Sequence, residues 1–479
     1  MAPTLTRRAL LRAGIAVAAT GAMGAAAGCG PVARRSPDVV VIGAGLSGLY
    51  AARLLEAQGV SVRVLEAAPR IGGRMYTLDG VEGAPETGGA QIGGNYARVL
   101  TTMSELGLDS RGPRSSSYGQ AFSLGGELIS ADEWAEHPSN PLRGDERARL
   151  PWQQLTARAA AANPLRDFDD WSGDAAQSHD VSYLEFMRAQ GASDEAIRMA
   201  GVAPNVNDLS TASMLGLWRS LVLFADARRS PQPLHFVAGG SQRLPEAMAA
   251  SLSAEVETGR RAVALASDAR GAEVRLADGE RVRAPRVICT LPFTVLRELE
   301  LDLPLAEAQA EAVRELPYTQ ILHLHFRPRE RFWEDDGWPP AMWTDGPLQR
   351  LFMSDDDSGR PSGHYQAWID GTPAGRLGER DDTELAELAA RELRRLRPAS
   401  GGRLDLVHVQ RWIRTNPLSG GAYMHWAPGM IARFAGRMHA PAGRVHFAGE
   451  HLGQLFTGME AAMESGERAA LEILDLAAA

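Results

Sequence analysis

Lysine is absent from this chain, so all 50 of its basic residues are arginine. The absence excludes chemistry that needs a lysine amine as a base or as the nucleophile of a Schiff base. Cysteine is almost absent too, and occurs only as Cys29 and Cys289. Because Cys29 falls in an N-terminal segment that we interpret as a targeting signal, the mature chain is expected to have no intramolecular disulfide and to depend on its core for stability.

Positive charge is in deficit. The 59 acidic residues exceed the 50 basic ones and give a net charge of −9. A protein whose main partner is nucleic acid presents a basic face to the phosphates, so this balance favours small molecules as ligands. The remaining composition is ordinary: 479 residues with 44% hydrophobic and 23% charged side chains. These values are typical of a soluble enzyme of about two to three domains, and they exclude a disordered chain and a polytopic membrane protein.

Residues 1–30 resemble a targeting segment. Arg7 and Arg8 precede a stretch rich in Ala, Gly and Leu that ends near Cys29. The paired arginines resemble the export signal of proteins that fold before translocation, and the context of Cys29 resembles a bacterial lipoprotein cleavage site at which the cysteine is acylated. We therefore expect an exported protein, periplasmic or otherwise extracytoplasmic. A lipid anchor at Cys29 is a further hypothesis, and a disordered N-terminus is the alternative.

A dinucleotide site is predicted where the mature chain begins. The apolar, β-branched run at 38–42 is followed by Gly43, Gly45 and Gly48 and then by a helical pattern. In such a strand, turn and helix the first glycine permits the tight turn, the second lets the backbone approach a pyrophosphate, and the third lets the helix pack on the sheet. Glu66 ends the next apolar run and is placed to accept hydrogen bonds from an adenosine ribose, which a plain glycine turn does not explain.

The segment after Glu66 favours FAD over NAD. Residues 65–74 carry Arg70 and Arg74 around a second glycine pair, which can make further contacts to a diphosphate and a flavin. This segment resembles the FAD-dependent amine oxidase family, which contains monoamine oxidases, polyamine oxidases and L-amino acid oxidases. The resemblance covers most of the chain after residue 36 and is weakest from about 100 to 230. Further segments that match the family, in its order, are 86–92, 239–244, 259–263, 287–292, 412–423, 447–450 and 457–460.

The resemblance implies an α/β fold, in which a Rossmann-like FAD-binding domain carries an inserted α+β substrate domain, as in the amine oxidase and glutathione reductase group. The ranges expected for the FAD-binding domain are 36–97, 234–294 and 410–475, and those expected for the substrate-binding domain are 98–233 and 295–409.

Local patterns give three further expectations for these domains. An antiparallel piece is predicted near 254–286, within the FAD-binding domain. The insertion at 98–233 reads as several helices. The alternation from Ile321 to Phe326 predicts a sheet with one covered face.

The residues that the resemblance places against the cofactor lie in the glycine turns and toward the two ends of the chain: Gly43, Gly45, Gly48, Glu66, Arg74, Gly88, Gly89, Val263, Gly449, Glu450 and Met459. Among them, the backbone of Val263 would contact adenine and Glu450 would bind the ribityl chain. Residue 422 is the cysteine that links the flavin covalently in mammalian monoamine oxidases, and here it is Ala422. FAD is therefore expected to be held without a covalent bond, and no metal site is expected.

Three positions bear on the substrate. Tyr423 matches one wall of the aromatic cage that orients the amine nitrogen in this family, with a plain core tyrosine as the alternative. Gly458 stands where monoamine oxidases carry the other wall, which leaves room for a bulkier substrate or for Trp412. L-amino acid oxidases place an arginine after the glycine pair to clamp the α-carboxylate, and Gln91 stands there instead. Amines without an α-carboxylate are favoured, unless arginines of the 98–233 insertion substitute.

His323 stands where most members of the family have a lysine that holds a water against flavin N5. The spacing from Pro317 and the spacing to Phe332 both give this placement. A histidine can still hold a water, and with an ordinary pKa of about 6.5 it is expected to change charge near neutrality. His325 lies on the same face of the predicted strand. The alternative is that both histidines only line a polar wall.

The leading hypothesis is oxidation of a primary or secondary amine to an imine by hydride transfer to flavin N5, with the electrons passed on to O₂. Because the family's lysine helps to handle oxygen and is missing here, a quinone or a cytochrome is the alternative acceptor. An L-amino acid oxidase, or a desaturase of a C–C bond on the same scaffold, is the second hypothesis, and a flavin-bound protein without turnover is the third. The catalytic residues expected for the first hypothesis are His323, Tyr423 and Trp412.

Overall fold

The computed structural model describes residues 37–112, 119–355 and 361–478. Within these ranges the strands are β1 (Val39–Ile42), β2 (Val62–Leu65), β3 (Ile92–Gly93), β4 (Ser110–Arg111), β5 (Gln120–Leu124), β6 (Glu127–Ser130), β7 (Leu234–Val237), β8 (Ala262–Asp268), β9 (Gly271–Leu276), β10 (Arg281–Ala284), β11 (Arg286–Cys289), β12 (Glu300–Asp302), β13 (Tyr318–Thr319), β14 (Ile321–Pro328), β15 (Ala341–Thr344), β16 (Arg350–Asp355), β17 (Pro361–Asp370), β18 (Leu404–Trp412), β19 (Tyr423–Met424) and β20 (Val445–Phe447).

The helices in the same ranges are α1 (Leu46–Glu56), α2 (Ala97–Glu105), α3 (Gln153–Ala161), α4 (Asp174–Gln177), α5 (Tyr183–Ala189), α6 (Asp194–Ala200), α7 (Met214–Ala227), α8 (Arg243–Ala250), α9 (Phe293–Leu296), α10 (Glu307–Glu315), α11 (Phe332–Asp336), α12 (Gly371–Gly378), α13 (Asp382–Leu396), α14 (Met430–Phe434) and α15 (Gly458–Ala478). None of these described helices is both long enough and apolar enough to cross a lipid bilayer. The predicted signal at 1–30, with Arg7, Arg8 and Cys29, lies outside the described residues, and export stays a prediction.

The β-branched run at the start of the mature chain forms β1, the second strand of a four-stranded parallel sheet with the order β2-β1-β11-β20. All four residues of β1 are buried. Val40 and Ile42 pack into one hydrophobic cluster, and Val39 and Val41 pack into another. Because successive side chains point to opposite faces, this division shows that both faces of the sheet are covered, which is why the strand is continuously apolar rather than alternating.

The strands of this sheet come from separate parts of the chain. β1 and β2 belong to the range 36–97, β11 belongs to 234–294, and β20 belongs to 410–475. The sheet therefore joins the three ranges expected for the FAD-binding domain. Residues Pro37–Ala479 form one compact unit, so the division into two domains stays a prediction.

The antiparallel piece expected near 254–286 is present. β8, β9 and β10 pair antiparallel, and β12 adds to β8 in parallel, so the sheet has the order β10-β9-β8-β12.

A seven-stranded sheet with the order β18-β14-β17-β16-β15-β5-β6 forms the other large sheet of the molecule. The expectation that 98–233 is helical is wrong in part, because β5 and β6 come from this range and β5 pairs in parallel with β15. Gly125 and Gly126 both have positive φ, at 59° and 101°. A glycine pair of this kind suits the two-residue turn of a β-hairpin, and that signal precedes the sequence Glu127–Ser130.

Strand β14 is buried on both faces, whereas its alternating pattern predicts only one covered face. Leu322, Leu324 and Phe326 pack into the hydrophobic cluster on one side of the sheet. His323 and His325 lie on the other side and are also buried. The difference arises because Thr87, which is distant in sequence, packs against the polar face and binds both histidines. The alternation of apolar and polar residues therefore predicted which side chains of β14 share a face, but it did not predict that both faces are buried.

Candidate active site

A cavity of about 1010 Å³ lies at the carboxyl ends of the parallel strands. Gly43 follows β1, Glu66 follows β2 and Thr290 follows β11, and all three border it. Ligands of open parallel sheets bind at this edge. His323 of β14 and Trp412 of β18 border the same cavity from the seven-stranded sheet. One side of the cavity is therefore formed largely by glycine backbone and another by aromatic and histidine rings.

The glycine turn, residues 43–48, is held by steric contacts that exclude side chains. Gly43 has φ +103°, and a Cβ on Gly48 would lie 2.0 Å from the carbonyl oxygen of Gly43. A Cβ on Gly45 would meet no protein atom within 4 Å, and Gly45 borders the cavity. The protein therefore leaves open the space beside Gly45. Helix α1 begins there without a side-chain cap, which suits an anion at its N-terminus.

Glu66 is fixed at the edge of the cavity by two backbone bonds. The N–H of Ala44 donates to Oε2, and the N–H of Ala68 donates to Oε1, each at 2.8 Å. Since each carboxylate oxygen can accept more than one hydrogen bond, the group can still accept from a ribose.

Arg74 and Glu450 join the beginning of the chain to its end. The Arg74 Nη1 donates to Glu450 Oε1 at 2.8 Å and to the carbonyl oxygen of Ala422 at 3.0 Å. The same Glu450 oxygen accepts the N–H of Met424 at 3.1 Å. This cluster holds β19, and with it Tyr423, against the segment that follows β2.

In the glycine pair Gly88–Gly89, Gly88 is packed as tightly as Gly48 in the glycine turn. A Cβ on Gly88 would lie 2.1 Å from the carbonyl oxygen of Arg74, which also accepts the N–H of Gly89 at 2.9 Å. Both glycines border the cavity. Glu86, two residues before the pair, accepts the N–H of Ser241 at 2.6 Å. This bond connects the pair to the segment 239–244.

Two glycines near the C-terminal end of the chain, in the matching segments 447–450 and 457–460, have positive φ. Gly449 has φ +138°, and its N–H donates to the Ser465 hydroxyl at 2.8 Å. Gly458 has φ +62° and borders the cavity beside Met459. A conformation with positive φ disfavours an aromatic residue at Gly458. The role of this position as a cage wall stays a prediction.

Four predicted residues are not among those that border the cavity in the described ranges: Gly48, Gly449, Gln91 and Val263. Gln91 is exposed at the surface. Val263 lies next to Ala262, which does border the cavity, and the pairing of β8 with β9 shifts register at Val263. A bulge of this kind leaves one backbone unit out of the ladder, which is compatible with a backbone contact to a base. The roles of all four residues stay predictions.

The face of the cavity opposite the glycine turn, which we name the ring wall, consists of Tyr423, Trp412, Trp368 and His323. The Tyr423 hydroxyl donates to the carbonyl oxygen of Asn205 at 2.9 Å, and burial raises its pKa, so the phenol stays neutral. The Trp412 Nε1–H donates to the carbonyl oxygen of Thr87 at 2.5 Å. Both rings are thereby fixed by one polar atom each while their faces remain apolar.

His323 is buried and neutral. Its Nδ1 lies 3.3 Å from the Thr87 hydroxyl, and its Nε2 has no hydrogen-bond partner among the described residues. Burial, with a smaller contribution from the charge of Arg350, lowers the pKa of His323 to about 3, although a hydrogen bond to the Thr87 backbone opposes this shift. The expectation that this ring changes charge near neutrality is therefore wrong, because the folded chain excludes the water that would stabilise the imidazolium.

Sequence reasoning missed the two neighbours of His323. Trp368 of β17 and Gln410 of β18 stand directly opposite it on the adjacent strands, and both border the cavity. The alternation from His364 to Ile369 marks a strand, but the pairing of β17 with β14 depends on the whole sheet. Although histidines gather here, no group of three or more His, Cys, Asp or Glu side chains in the described part of the chain could hold a metal ion.

The residues that border the cavity fit FAD. The space beside Gly45 is free of protein atoms, so a dinucleotide could approach the backbone there. The first turn of α1 has no side-chain cap and can bind an anion. On the ring-lined side, His323 Nε2 has no hydrogen-bond partner among the described residues. A large, partly apolar cavity with few polar groups is typical of a cofactor site.

Comparisons with known proteins agree with this geometry. The family model for flavin containing amine oxidoreductases matches residues 46–474. Flavin-containing amine oxidase B from Homo sapiens is 27% identical over 471 residues, covering 91% of this chain and 86% of that protein. Flavin-containing amine oxidase A from Sus scrofa is 27% identical over 466 residues, covering 91% and 85%.

Solved structures share the fold. Cyclohexylamine oxidase from Brevibacterium oxydans has a TM-score of 0.75 and 21% identity, covering 93% of this chain and 100% of that one. Putrescine oxidase bound to putrescine has a TM-score of 0.71 and 22% identity, covering 92% and 99%.

Proposed function

This chain belongs to the family of flavin-containing amine oxidoreductases, and from that premise we propose that it oxidises a primary or secondary amine to the corresponding imine. The family makes the chain a flavin-dependent oxidoreductase with FAD as its expected cofactor. When bound, FAD supplies the acceptor for the hydride that leaves the carbon next to the amine nitrogen. The chain's own residues have to bind the amine, orient it and exclude water.

The ring wall is the observation that carries the proposal. Its two tryptophans carry no charge, and burial holds its two ionisable rings neutral by raising the pKa of Tyr423 and lowering that of His323. A hydride leaves readily only from an amine whose nitrogen keeps its lone pair. A neutral, apolar wall lowers the affinity for the ammonium form relative to the neutral amine, because charge is costly to bury without a partner. Tyr423 and Trp412 are anchored by hydrogen bonds and so present fixed ring faces to that amine.

An amine without an α-carboxylate fits this wall better than an amino acid does. The Arg350 guanidinium packs over the Trp368 ring at 5.3 Å, but it is already bound to the Asp370 carboxylate at 2.6 Å. Gln91, at the position where L-amino acid oxidases carry the clamping arginine, is exposed at the surface. A carboxylate at the wall would therefore need a cationic partner from elsewhere in the cavity.

We infer that the electron acceptor is a quinone or a cytochrome rather than O₂ alone. A fixed cation beside the site would stabilise the negative charge that develops during electron transfer to O₂. His323, which stands at the position of the family's lysine, is neutral. Rapid mixing of the reduced protein with air-saturated buffer tests this inference: reoxidation is expected to be slow, and an oxidase-like rate would contradict it.

FAD is proposed to be held without a covalent bond. Ala422 borders the cavity and has no nucleophilic side chain. Cys289, the free cysteine of the described residues, is buried in β11, and burial raises its pKa to about 12, so its thiol is unreactive. Acid precipitation is expected to release all the flavin into the supernatant, and a yellow pellet would contradict the proposal.

The proposed reaction is tested by anaerobic mixing of the oxidised protein with a panel of amines, amino acids and saturated cyclic compounds. Bleaching of the visible flavin band by amines supports the proposal. Bleaching by amino acids or by C–C substrates would replace it with the corresponding alternative, and no bleaching by any compound would indicate a protein without turnover. Tyr423→Leu should lower kcat/KM for the active amine by about 10- to 100-fold. Tyr365→Phe, which removes a buried tyrosine hydroxyl outside the ring wall, is the matched control.

We also propose that the chain is exported and acylated at Cys29. The support is the sequence alone: Arg7 and Arg8 before an apolar stretch that ends near Cys29. Replacing both arginines by lysine should leave the protein in the cytoplasm, and Cys29→Ala should abolish incorporation of labelled palmitate. Unchanged export and labelling would contradict the two proposals separately.

A further inference from the structure

Four side chains from distant parts of the chain form one continuous row of hydrogen bonds, which we name the histidine row. His323 Nδ1 lies 3.3 Å from the Thr87 hydroxyl oxygen, and the same oxygen lies 3.0 Å from His325 Nε2. His325 Nδ1 lies 3.0 Å from His364 Nε2. All four side chains are buried, with exposed fractions of 3% or less. The row begins at the cavity, which His323 borders, and runs away from it to β17.

Only the two ends of the row have an unused ring nitrogen. His323 Nε2 and His364 Nδ1 have no hydrogen-bond partner among the described residues, whereas both nitrogens of His325 are bonded. Buried polar atoms without partners are uncommon in proteins and call for an explanation. Here the two unpartnered atoms are the terminal atoms of a single chain of donors and acceptors.

Proton counting restricts the row to two arrangements. Burial lowers the pKa values of all three histidines, to about 3 for His323 and about 4 for His364, so each ring is neutral and carries one N–H. Each of the three hydrogen bonds needs one proton, and the Thr87 hydroxyl donates one and accepts one. In the first arrangement every ring carries its proton on Nδ1, and Nε2 of His323 has a lone pair. In the second every ring carries its proton on Nε2.

The charged and titratable groups around the row disfavour a stored extra proton. Arg350 of β16 lowers the pKa of His323, although Asp370 of β17 pairs with this arginine at 2.6 Å. His408 of β18 lies with its ring 5.8 Å from His325 and lowers its pKa. Each ring of the row is therefore expected to keep a single proton in the resting protein.

We propose that Thr87, His325 and His364 are positioning residues that set the tautomer of His323. In the first arrangement His323 Nδ1–H donates to Thr87, Thr87 donates to His325 Nε2, and His325 Nδ1–H donates to His364 Nε2; in the second arrangement the direction of every bond is reversed. The group that His364 presents to His325 therefore decides which ring nitrogen of His323 carries the proton.

The relevance of the His323 tautomer to turnover rests on the proposed function, because His323 borders the cavity in which the amine would be bound. The tautomer coupling itself does not depend on that function. It is a property of the resting holoenzyme, so it can be measured without any substrate.

The test uses histidine labelled with ¹⁵N in the oxidised holoenzyme, where the ring nitrogen shifts distinguish the two tautomers. His364→Leu leaves His325 Nδ1 in an apolar contact and should drive His323 to the Nε2–H form. His364→Glu supplies an acceptor to His325 Nδ1–H and should drive His323 to the Nδ1–H form. The two variants are expected to give opposite tautomers of His323. The wild type can share its tautomer with only one of them, so at least one variant must differ from the wild type.

Thr87→Val breaks the row at its centre while keeping the side-chain shape, and the difference between the two His364 variants at His323 should then vanish. Thr87→Ser should restore it. Thr319→Val is the matched control, because it removes a buried threonine hydroxyl bonded to His425 at 3.0 Å, outside the row. Signals of His323 are assigned by His323→Gln, and retained flavin absorbance shows that each variant is folded.

The proposal is overturned if His323 has the same tautomer in both His364 variants, or if their difference survives Thr87→Val. Coupled tautomers in a protein that no amine reduces would keep the histidine row and remove the proposed function. Uncoupled tautomers in a protein that amines do reduce would have the opposite consequence.

Discussion

The glycine turn after β1 and the histidine row beside β14 border the same cavity, but their geometry is held in different ways. In the glycine turn, the backbone is packed so closely that side chains are excluded, as the 2.0 Å between a Cβ on Gly48 and the Gly43 oxygen shows. In the histidine row, side chains from three separate segments meet through hydrogen bonds of 3.0 to 3.3 Å. The first region leaves no room for a side chain at Gly43 or Gly48, whereas the second depends on which ring nitrogens carry protons.

This difference separates the consequences of mutation. A change at Gly48 acts on packing and therefore on folding and cofactor retention together. A change in the histidine row leaves the packing of the parallel sheet untouched and acts on the polarity and proton state of one wall of the cavity. The two regions can thus be broken independently.

The largest effect is expected from Gly48→Ala. The new methyl group would overlap the Gly43 carbonyl, so α1 would have to move away from β1, and the free energy of unfolding should fall by about 3 kcal/mol. FAD should be lost as well. Gly45→Ala is the matched control: its methyl group meets no protein atom, so the stability of the apoprotein should change by less than about 1 kcal/mol. Chemical denaturation of the apoproteins measures both values.

Gly45→Ala also tests whether a bound dinucleotide approaches the glycine turn. Because Gly45 opens into the cavity, its methyl group would occupy space needed by a bound dinucleotide, and the Kd for FAD should rise at least about tenfold. Titration of the apoprotein with FAD measures this rise. An unchanged Kd would mean that the dinucleotide does not approach Gly45, and equal stability losses in both variants would mean that the two glycines are not distinct.

The sequence predicted the glycine turn because all its determinants lie within about thirty residues. Gly43, Gly45, Gly48 and Glu66 follow one strand, one helix and the next strand, so local patterns are enough. The strands of the parallel sheet likewise fall in the three ranges expected for the FAD-binding domain.

The histidine row could not be predicted in the same way. His323 and His325 were singled out by position and alternation, but Thr87 and His364 enter only through sheet pairing and tertiary packing. The same packing buries the rings, which is why an ordinary histidine pKa is a poor guide here. Likewise β5 and β6 join the seven-stranded sheet through a parallel pairing with β15 that no local pattern in 98–233 reports.

A smaller effect is expected from acid. Burial lowers the pKa of His364 from 6.5 to about 4. Between these values the unfolded chain binds a proton at this residue and the folded chain does not, so stability falls as the pH falls, by about 1.4 kcal/mol per pH unit. Asp370 acts in the opposite direction, because burial raises its pKa to about 6. His364→Leu removes this proton-binding site from the unfolded chain. The slope of the unfolding free energy against pH, on the acid side, should therefore change by the contribution of one proton, about 1.4 kcal/mol per pH unit.

Denaturation of wild type and His364→Leu at several pH values between about 4.5 and 6 measures this difference in slope. The glycine turn contains no titratable group, so Gly45→Ala should keep the slope of the wild type. Parallel profiles for wild type and His364→Leu would show that His364 is protonated in the folded chain, and the histidine row would then lose the neutral ring on which it depends.

The smallest effect is expected from Trp412→Phe, which joins the two regions because the Trp412 Nε1–H donates to the carbonyl oxygen of Thr87. Phenylalanine keeps a ring at the wall but leaves that buried carbonyl without its donor, which costs about 1 kcal/mol of stability. Trp218→Phe removes an equivalent bond, from a buried Nε1–H to the Ala159 carbonyl at 2.8 Å, at a site away from the cavity. Both variants should lose similar stability, but only Trp412→Phe should change the ring nitrogen shifts of His323, because only its bond positions Thr87. Equal shifts in the two variants would mean that the hydroxyl of Thr87 is held by the histidines themselves and not by the backbone to which Trp412 is bound.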